Sequence, residues 1–422
     1  MTLEVIVGLA VFVATYAFIA TERVHKTIAA MAGGVAMVLL GVVTQEEAFE
    51  HIDFNVIFLL AGMMILAGIV RKTGVFGWLA VRAARFAGGD AYRILVVLSI
   101  ITAVASAFLD NVTTVVLVGP ITLFLAARLG VSPFPFIVAE ILASNIGGAS
   151  TLIGDPPNLL IGSAAGLDFV AFIFHMAPLS AIVLALFLVS ARWLFREYLH
   201  VDPAMRDALF ALDEREMISD PVLLRRSLVV LGLTLVGFLL HGPLGYEPAT
   251  VALTGALVLM LIAREDPHEI LRDVEWPTLF FFIGLFMLVA GIIEIGLVEA
   301  LASAIVTITG GALAPMAMLL LWGSAVLSGI IDNIPYTATM IPVVNQLSES
   351  GDGNALWWAL AIGADFGGNA TIIGASANVI LASLAEREGH PVRFGTYLRY
   401  GLPVTIGSMV VASGYVWLRY LL

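Results

Sequence analysis

Residues 106–125 read SAFLDNVTTVVLVGPITLFL, and 222 positions later residues 328–347 read SGIIDNIPYTATMIPVVNQL. A second pair follows, GGASTLIGDPPN at residues 147–158 and GGNATIIGASAN at residues 367–378, which are 220 positions apart. Both pairs place Gly, Asn and Asp inside apolar stretches, where a membrane helix would be continuous. Interrupted apolar segments at corresponding places of two halves are the sequence sign of a transporter's binding site.

The composition is that of a polytopic membrane protein. The chain is 60% hydrophobic and 12% charged, whereas a soluble domain has about 25% charged residues. Several stretches of ~17 nearly uncharged residues are long enough to span a bilayer as helices. The net charge of −12 argues against nucleic acid as a partner. The absence of Cys excludes disulfides, thiolate metal sites and cysteine nucleophiles.

The repeat predicts an all-α polytopic membrane protein. It has two inverted repeats of five crossings each, and each repeat contains a re-entrant hairpin and a broken helix. A polar, charged segment between the halves is predicted to be a cytoplasmic linker. The predicted boundaries are repeat one at 1–199 with its hairpin at 94–127 and its broken helix at 134–164, the linker at 200–222, and repeat two at 223–422 with its hairpin at 316–347 and its broken helix at 355–384.

The basic residues predict the orientation. With both termini outside the cell's inner membrane, every Lys and Arg except Arg419 falls on the cytoplasmic side. Five crossings per half then require the halves to be inverted. If both hairpin helices crossed the membrane completely, each half would still cross an odd number of times. Re-entrance is instead predicted from the Asp-Asn pair at each hairpin midpoint, which is costly in lipid unless it lines a cavity.

The first repeated motif is the tip of each hairpin, DNVTT at residues 110–114 and DNIPY at residues 332–336. A chain that turns back leaves backbone amides and carbonyls unpaired, and Asn and Thr side chains add further ligands. A carboxylate there is suited to carry a proton or bind a cation. The alternative is a helix cap, because Asp and Asn are favoured at helix starts. Two symmetric copies between apolar helices favour ion binding.

The second motif interrupts the long apolar segment, with SNIGG at 144–148 before DPPN at 155–158 in repeat one. Half-helices that end at the midplane direct their dipoles there, so amides favour anions or hydroxyls and carbonyls favour a cation. A structural kink is the alternative. Asp155 is predicted to be a structural cap, because Pro follows it in the first turn of the next half-helix.

These motifs place four carboxylates at membrane depth. Asp110 and Asp332 are symmetric, whereas Asp155 and Asp365 each lack a counterpart in the other repeat. A carboxylate at the midplane is costly to ionise without a partner. Asp110, Asp332 and Asp365 are therefore predicted to couple transport to H⁺, with Na⁺ as the alternative. Neither motif contains Lys or Arg, which favours a neutral polyhydroxy solute, a weak anion or a cation over a strong anion.

The candidate site combines the polar and glycine residues of the four motifs, and no metal-ligating cluster or cofactor is expected. Glu140, one turn before Ser144, is either a proton relay or a group with a packing or interfacial role. The predicted solute- and ion-binding residues are Asp110, Asn111, Thr113, Thr114, Ser144, Asn145, Gly147, Gly148, Thr151, Asn158, Asp332, Asn333, Gly367, Gly368, Asn369, Thr371 and Asn378.

AFLDNVTTVVLVGPITL followed by ASNIGGASTLIGDPPN resembles the ArsB/NhaD permeases, the arsenite pumps and sodium–proton antiporters of the ion transporter superfamily. The pigmentation P protein is similar, and the sodium–dicarboxylate symporters are more distant. The resemblance covers about 400 residues, and GDPPN after SNIGG is specific to it. It implies an inverted-repeat transporter with two re-entrant hairpins and two broken helices around a central site. The tips differ from the Ser-Asn-Thr tips of the sodium–dicarboxylate branch.

Proton-coupled efflux of arsenite or antimonite is the leading functional prediction, because neutral arsenite suits a site without Lys or Arg. The alternatives are a Na⁺/H⁺ antiporter and a Na⁺-coupled organic-anion symporter of the dicarboxylate type. A channel or a non-transporting membrane scaffold is the alternative from a different class. A scaffold would not need two polar, helix-breaking motifs at the midplane, and counterflow would separate a transporter from a channel. We expect no enzymatic activity. The expected partners are a small inorganic solute or ion, the lipid bilayer and, since the chain has no P-loop, an accessory ATPase on the cytoplasmic side.

Overall fold

Helices account for all the regular secondary structure in the described part of the chain. The computed structural model describes residues 2–21, 23–199, 217–264, 266–348 and 354–422. Most of the predicted linker, 200–222, lies outside these residues. The described elements fall into two series of ten α-helices, one on each side of it.

The first series contains α1 to α10. They are α1 Leu3–Thr21, α2 Lys26–Leu39, α3 Gln45–Glu50, α4 Phe54–Lys72, α5 Val75–Phe86, α6 Ala91–Leu109, α7 Asn111–Leu129, α8 Phe134–Gly148, α9 Pro156–Ala165 and α10 Phe169–Leu194.

The second series contains α11 to α20. They are α11 Pro221–Leu244, α12 Pro248–Ala263, α13 Pro267–Arg272, α14 Trp276–Glu294, α15 Leu297–Thr309, α16 Leu313–Ser328, α17 Asn333–Ser348, α18 Asn354–Gly367, α19 Ser376–Arg387 and α20 Phe394–Val416.

The two series repeat the same order of elements. Helices α2, α4, α6 and α7 begin 222 positions before α12, α14, α16 and α17 respectively. The order of four helices, an amphipathic arm, a helical hairpin, a broken helix and a final long helix therefore occurs twice among the described residues. This arrangement confirms the all-α polytopic fold built from two repeats.

Several helices are long and apolar enough to cross a membrane. Eight described helices qualify by length and composition: α1, α4, α6, α7, α10, α11, α14 and α20, the last with the turn that follows it. The 19 residues of α6 rise about 28 Å, close to the ~30 Å hydrocarbon core of a bilayer. Length alone would therefore let the hairpin helices cross. Their tip, however, lies inside the protein, since Asp110 is only 5% exposed.

The repeats pack against each other through two equivalent helix crossings. Helix α2 packs on α14, and its counterpart α12 packs on α4. At the first crossing, a Cβ on Gly284 would lie 2.5 Å from Met31 N. At the second, a Cβ on Gly62 would lie 2.8 Å from the carbonyl carbon of Ala252. Only glycine allows backbones to approach this closely, and the matched crossings relate the halves by an approximate two-fold axis.

Candidate functional site

In each repeat, the end of the first hairpin helix packs against the first half of the broken helix. Ser106 Oγ donates to Ser144 O at 2.8 Å, and the equivalent Ser328 Oγ donates to Ala364 O at 2.6 Å. The contact is close because a Cβ on Gly147 would lie 2.2 Å from Ala103 O. A Cβ on Gly367, the equivalent residue, would lie 2.5 Å from Ala325 Cα. These two predicted site glycines therefore permit helix packing.

The unwound segments are tied to the hairpins by their threonines. Thr151 Oγ1 donates to Ala107 O, and Thr371 Oγ1 donates to Gly329 O at 2.6 Å. Both hydroxyls therefore hold the break in place. The same symmetry extends to the asparagines that follow, whose side-chain amides hold the same segments: Asn158 Nδ2 donates to Thr151 O at 3.0 Å and Asn378 Nδ2 donates to Thr371 O at 2.9 Å.

Gly148 and Gly368 also help to hold the unwound segments in place. A Cβ on Gly148 would lie 2.6 Å from Gly154 O, and a Cβ on Gly368 would lie 3.1 Å from Gly374 O. In each repeat, the end of one half-helix thus touches the chain that enters the next. The glycines of the second motif shape the break, and the side chains around it supply the polar groups.

Asp110 forms the tip of hairpin one and caps α7. Its φ of 77° lies in the left-handed region, which non-glycine residues seldom adopt. Its Oδ1 accepts from Thr113 N at 2.8 Å and its Oδ2 from Thr113 Oγ1 at 2.6 Å. Asp110 therefore caps α7 through Thr113, as the helix-cap alternative predicts. The next residue, Thr114, is buried, and its hydroxyl has no partner among the described residues.

Asp332 forms the tip of hairpin two and has a basic partner. Its Oδ2 accepts from Ser376 Oγ at 2.7 Å and lies 3.3 Å from Lys26 Nζ, while its Oδ1 accepts from Ile334 N at 3.1 Å. The expectation that no Lys or Arg accompanies the site is therefore wrong. Lys26 lies outside both motifs, at the start of α2, and only the packing of α2 beside hairpin two brings it there.

The two tip asparagines meet at one carboxylate. Asn111 Nδ2 donates to Asp155 Oδ2 at 2.9 Å, and Asn333 Nδ2 donates to Asp155 Oδ1 at 3.2 Å. Asp155 is fully buried and occupies the N-cap position of α9, but its side chain makes no capping hydrogen bond. The prediction that it is a structural cap is therefore wrong. Pro156 and Pro157 lack N–H groups, so the carboxylate has few amides to cap and instead binds the two asparagines.

Asn145 joins the two broken helices. Its Nδ2 donates to Asn378 Oδ1 at 2.8 Å and to Asn369 Oδ1 at 3.0 Å, both in repeat two. Its Oδ1 lies 3.4 Å from Asn111 Nδ2. The hydroxyl of the neighbouring Ser144 lies 3.3 Å from the carbonyl oxygen of Asn111. The predicted residues of both broken helices and both tips thus form one buried polar centre.

Asp365 differs from the other central carboxylates because it makes no close hydrogen bond, although the side chain of Asn158 lies next to it. It is fully buried, and neither carboxyl oxygen has a partner among the described residues. It lies close enough to Asp155 for the two carboxyls to interact electrostatically. Among the motif residues of repeat one, three more buried oxygens have no partner in the described part of the chain: Asn111 Oδ1, Thr114 Oγ1 and Asn158 Oδ1. An uncompensated buried carboxylate is costly, so this region is suited to a bound proton or a small cation.

A cavity of about 540 Å³ lies beside the centre, and both tip aspartates line it. Lys26, His25 and Glu275 also line the cavity. Both tip aspartates therefore border one space in this conformation. The described residues contain no group of three or more His, Cys, Asp or Glu that could hold a metal ion.

The sequence motifs missed Lys26 and Tyr16. Tyr16 Oη donates to Pro335 O at 2.6 Å and also contacts Thr339, which fixes α1 against hairpin two. No local signal identifies either residue, because their partners lie more than 300 positions away in sequence. The Ser106 and Ser328 pair, by contrast, was detectable from the repeat, since both residues occupy the first position of the quoted tip segments.

Sequence comparisons place this chain among membrane transporters. A family model described as a citrate transporter, CitMHS, matches residues 16–363. An uncharacterized transporter of Mycobacterium tuberculosis is 46% identical, and the match covers 98% of each chain. The 46 kDa membrane protein of Mycobacterium leprae is 44% identical over 99% of each chain. The human P protein is 34% identical over 98% of this chain and 60% of its own length.

One solved structure has the same overall fold. The crystal structure of the Alcanivorax borkumensis YdaH transporter, described as having an unusual topology, aligns with a TM-score of 0.59 over 98% of both chains. Its sequence is 16% identical, so the similarity concerns the fold alone.

Proposed function

We propose that this chain, which belongs to the CitMHS citrate transporter family, moves a small solute in a cycle coupled to a cation at Asp365. The chain is a membrane transporter and not an enzyme. The observation that carries the proposal is the complete burial of Asp365, whose carboxyl oxygens make no close hydrogen bond to a described residue. A carboxylate in this position is compensated only when it binds a proton or another cation.

The proton is our first choice of coupling ion. Asp110 and Asp332, which were also predicted to couple, each accept hydrogen bonds from described donors, whereas Asp365 makes no close hydrogen bond, so we assign coupling to Asp365. Na⁺ is the alternative. The side chains of Asn111 and Asn158, whose Oδ1 atoms are unpaired, neighbour Asp155 and Asp365 respectively, and oxygen ligands suit a hard cation.

A small carboxylate anion is the solute we favour. The carboxylate of Asp332 accepts from Ser376 Oγ and Lys26 Nζ at the edge of the cavity. Because Ser376 and Lys26 already bind the carboxylate of Asp332, they are suited to bind the carboxylate of a solute. If hairpin two moves, a solute carboxylate could take the same donors, and the family description of a citrate transporter fits this chemistry.

Arsenite or antimonite efflux is the second candidate. Asp110, Asp332 and Glu275 line the cavity with Lys26 and His25, so acidic groups outnumber lysines there. Such a cavity disfavours a multiply charged anion and favours a neutral trihydroxide, which amides and hydroxyls can bind. Lys26 counts against this solute, because the prediction of arsenite rested on a site without Lys or Arg.

The orientation and surroundings follow from the charge distribution. We place both termini outside the inner membrane and the 200–222 linker in the cytoplasm, because Arg419 is then the one basic residue outside. The hairpins are proposed to be re-entrant, since their tips meet inside the protein at Asp155. An accessory ATPase, if used, would dock on the cytoplasmic side.

Counterflow in proteoliposomes tests both the coupling and the solute. Purified protein would be reconstituted and given labelled citrate or labelled arsenite, with a pH gradient in either direction and with Na⁺ or K⁺ as the salt. We expect pH-driven citrate movement that is independent of Na⁺. Asp365→Asn should abolish the gradient-driven component while the protein remains folded, because neither oxygen of Asp365 makes a hydrogen bond to a described residue.

The exposed Glu386→Gln is the matched control for loss of a carboxyl. Movement driven by Na⁺ and not by pH would favour the sodium alternative. Movement of arsenite without citrate would favour the second solute. Gradient-driven transport by Asp365→Asn at the rate of the unmodified protein would refute the assignment of coupling to this residue.

A further inference from the structure

Glu140 is a buried carboxyl that the proposed cycle does not yet use. Four acidic residues are buried in the described part of the chain: Asp110, Glu140, Asp155 and Asp365. Three of them belong to the tips and breaks, whereas Glu140 lies in the middle of α8 and is 1% exposed. We propose that Glu140 is a second proton-carrying group, placed between the α7–α8 end of hairpin one and the central Asp155–Asp365 pair.

The contacts of Glu140 favour a neutral carboxyl. Its Oε1 is hydrogen-bonded to Thr122 Oγ1 on α7, and its Oε2 has no partner among the described residues. One neutral hydroxyl does not compensate a buried carboxylate for the hydration that it has lost. The group therefore holds a proton in this conformation and can give it up only when another charge or water replaces it.

No charged neighbour provides that compensation in the observed arrangement. The packed helices around α8 carry titratable groups, but none lies near enough to interact electrostatically with the Glu140 carboxyl. These groups are Tyr92 and Arg93 on α6, Arg128 on α7, His175 and Arg192 on α10, Asp365 on α18, Glu386 and Arg387 on α19, and Tyr397, Arg399, Tyr400 and Tyr415 on α20.

The position of Glu140 connects the centre with one end of the hairpin. Ser144 is one turn further along α8, on the same face and about 6 Å away along the helix axis. The hydroxyl of Ser144 lies 3.3 Å from Asn111 O, and Asn111 Nδ2 binds Asp155 at 2.9 Å. In the other direction, α8 begins at Phe134 after the loop that ends hairpin one. Glu140 thus divides the path from that loop to the centre into two shorter steps.

The second repeat has no equivalent group. The residue 220 positions after Glu140 is Leu360, which is fully buried. The carboxyl therefore serves one half of the molecule, as expected for a proton route that opens toward one membrane face. Packing alone does not require a carboxyl here, because leucine fills the corresponding position.

The proposed step moves one proton and changes only O–H bonds. A hydronium ion at the α7–α8 end transfers a proton to the Glu140 carboxylate and leaves water. The neutral carboxyl then passes this proton, through a hydroxyl or water, to the ionised member of the Asp155–Asp365 pair and becomes a carboxylate again. This role rests on the proposed proton coupling, and the reverse sequence returns the proton to the same face.

The test compares Glu140→Gln with Asp365→Asn in full-length protein reconstituted in proteoliposomes. Infrared difference spectra recorded on a pH step report titrating carboxyls without any solute. Counterflow of labelled citrate and of labelled arsenite under a pH gradient supplies the second measurement. We expect Glu140→Gln to remove one carboxyl from the titration and to slow gradient-driven counterflow at least about tenfold, with an unchanged thermal-unfolding midpoint.

A structural role would give different results. Gln at this position can still accept from Thr122, so a purely structural Glu140 predicts unchanged transport and an unchanged infrared titration. Either result would overturn the proposal. An equal loss of transport in Thr122→Val, which keeps the carboxyl and removes its hydrogen bond, would also overturn it. If Asp365→Asn abolishes gradient-driven transport but Glu140→Gln does not, the central coupling stands and the Glu140 step is wrong. If the unmodified protein has no pH-driven transport, both are wrong.

Discussion

Asn111 and Asn333 occupy equivalent positions in the two repeats, and each donates a hydrogen bond to a different oxygen of the Asp155 carboxylate. One side chain thereby connects both hairpin tips at the centre of the molecule. Any movement of one hairpin relative to the other must break at least one of these bonds. Asp155 is therefore a direct link between the two moving parts of the proposed cycle.

The two repeats supply similar frames but different central groups. Asp155 has Ala375 as its counterpart, and Asp365 has Asn145. Asn145 binds two asparagines of repeat two, whereas neither carboxyl oxygen of Asp365 makes a hydrogen bond to a described residue. The inverted repeat thus builds one asymmetric site instead of two equivalent ones. This asymmetry is the reason to assign the tethering role to Asp155 and the coupling role to Asp365.

Replacing Asp155 should destabilise the protein. Asp155→Asn keeps one acceptor oxygen and should lose one of the two tip contacts. We expect a loss of about 1–3 kcal/mol, the usual cost of leaving a buried polar group unpaired. Asp155→Ala should cost more, because both asparagines lose their acceptor. Thermal unfolding in detergent measures both variants, and an unfolding midpoint unchanged in Asp155→Ala would contradict the tether.

Removing the Lys26 ammonium should weaken transport of a carboxylate solute. Lys26→Gln removes the cation beside Asp332 and Ser376, and we expect the KM for citrate to rise about tenfold, equivalent to ~1.4 kcal/mol of binding. Arsenite transport should change less, since a neutral solute does not need the charge. Arg71→Gln is the control, because it breaks the 3.0 Å ion pair with Asp273 away from this cavity. Equal effects on both solutes would argue against a carboxylate subsite.

Adding a methyl group at the α2–α14 crossing should destabilise the contact between repeats. A Cβ on Gly284 would lie 2.5 Å from Met31 N, so Gly284→Ala should cost about 1–3 kcal/mol through forced separation of the helices. Gly232→Ala is the matched control, because nothing lies within 4 Å of its Cβ position. Its unfolding midpoint should stay the same or rise, as alanine is the better helix former. Similar midpoints for the two variants would refute the close crossing.

Cysteine labelling tests the orientation. The chain contains no Cys, so a single introduced thiol reports its own position. Ser132→Cys lies in the loop between α7 and α8 and should be protected from an impermeant maleimide in intact cells. Glu247→Cys lies in the exposed turn between α11 and α12 and should be labelled. The opposite pattern would invert the proposed topology, and labelling of both after permeabilisation is the control for accessibility.

The repeat and the breaks could be predicted because their signals are local. Gly-Gly, Asp-Pro-Pro and Asp-Asn interrupt apolar helices wherever they occur, and their recurrence at offsets of 222 and 220 positions revealed two similar halves. The predicted hairpin and broken-helix residues accordingly include the tips and breaks of α6–α9 and α16–α19. The roles of individual residues were less predictable. Thr151 and Thr371 looked like ligands, yet their hydroxyls bind the hairpin backbone.

The sequence by itself determined a membrane protein of two helical repeats, because hydrophobic length and helix-breaking residues act within a few turns of the chain. Only the tertiary structure decided which polar groups meet. Asn333 reaches Asp155 across 178 positions, and Lys26 reaches Asp332 across 306. Such contacts depend on how helices from different repeats cross, which no local pattern encodes. The packing therefore turned the expected cap at Asp155 into a tether and brought a lysine to the candidate site.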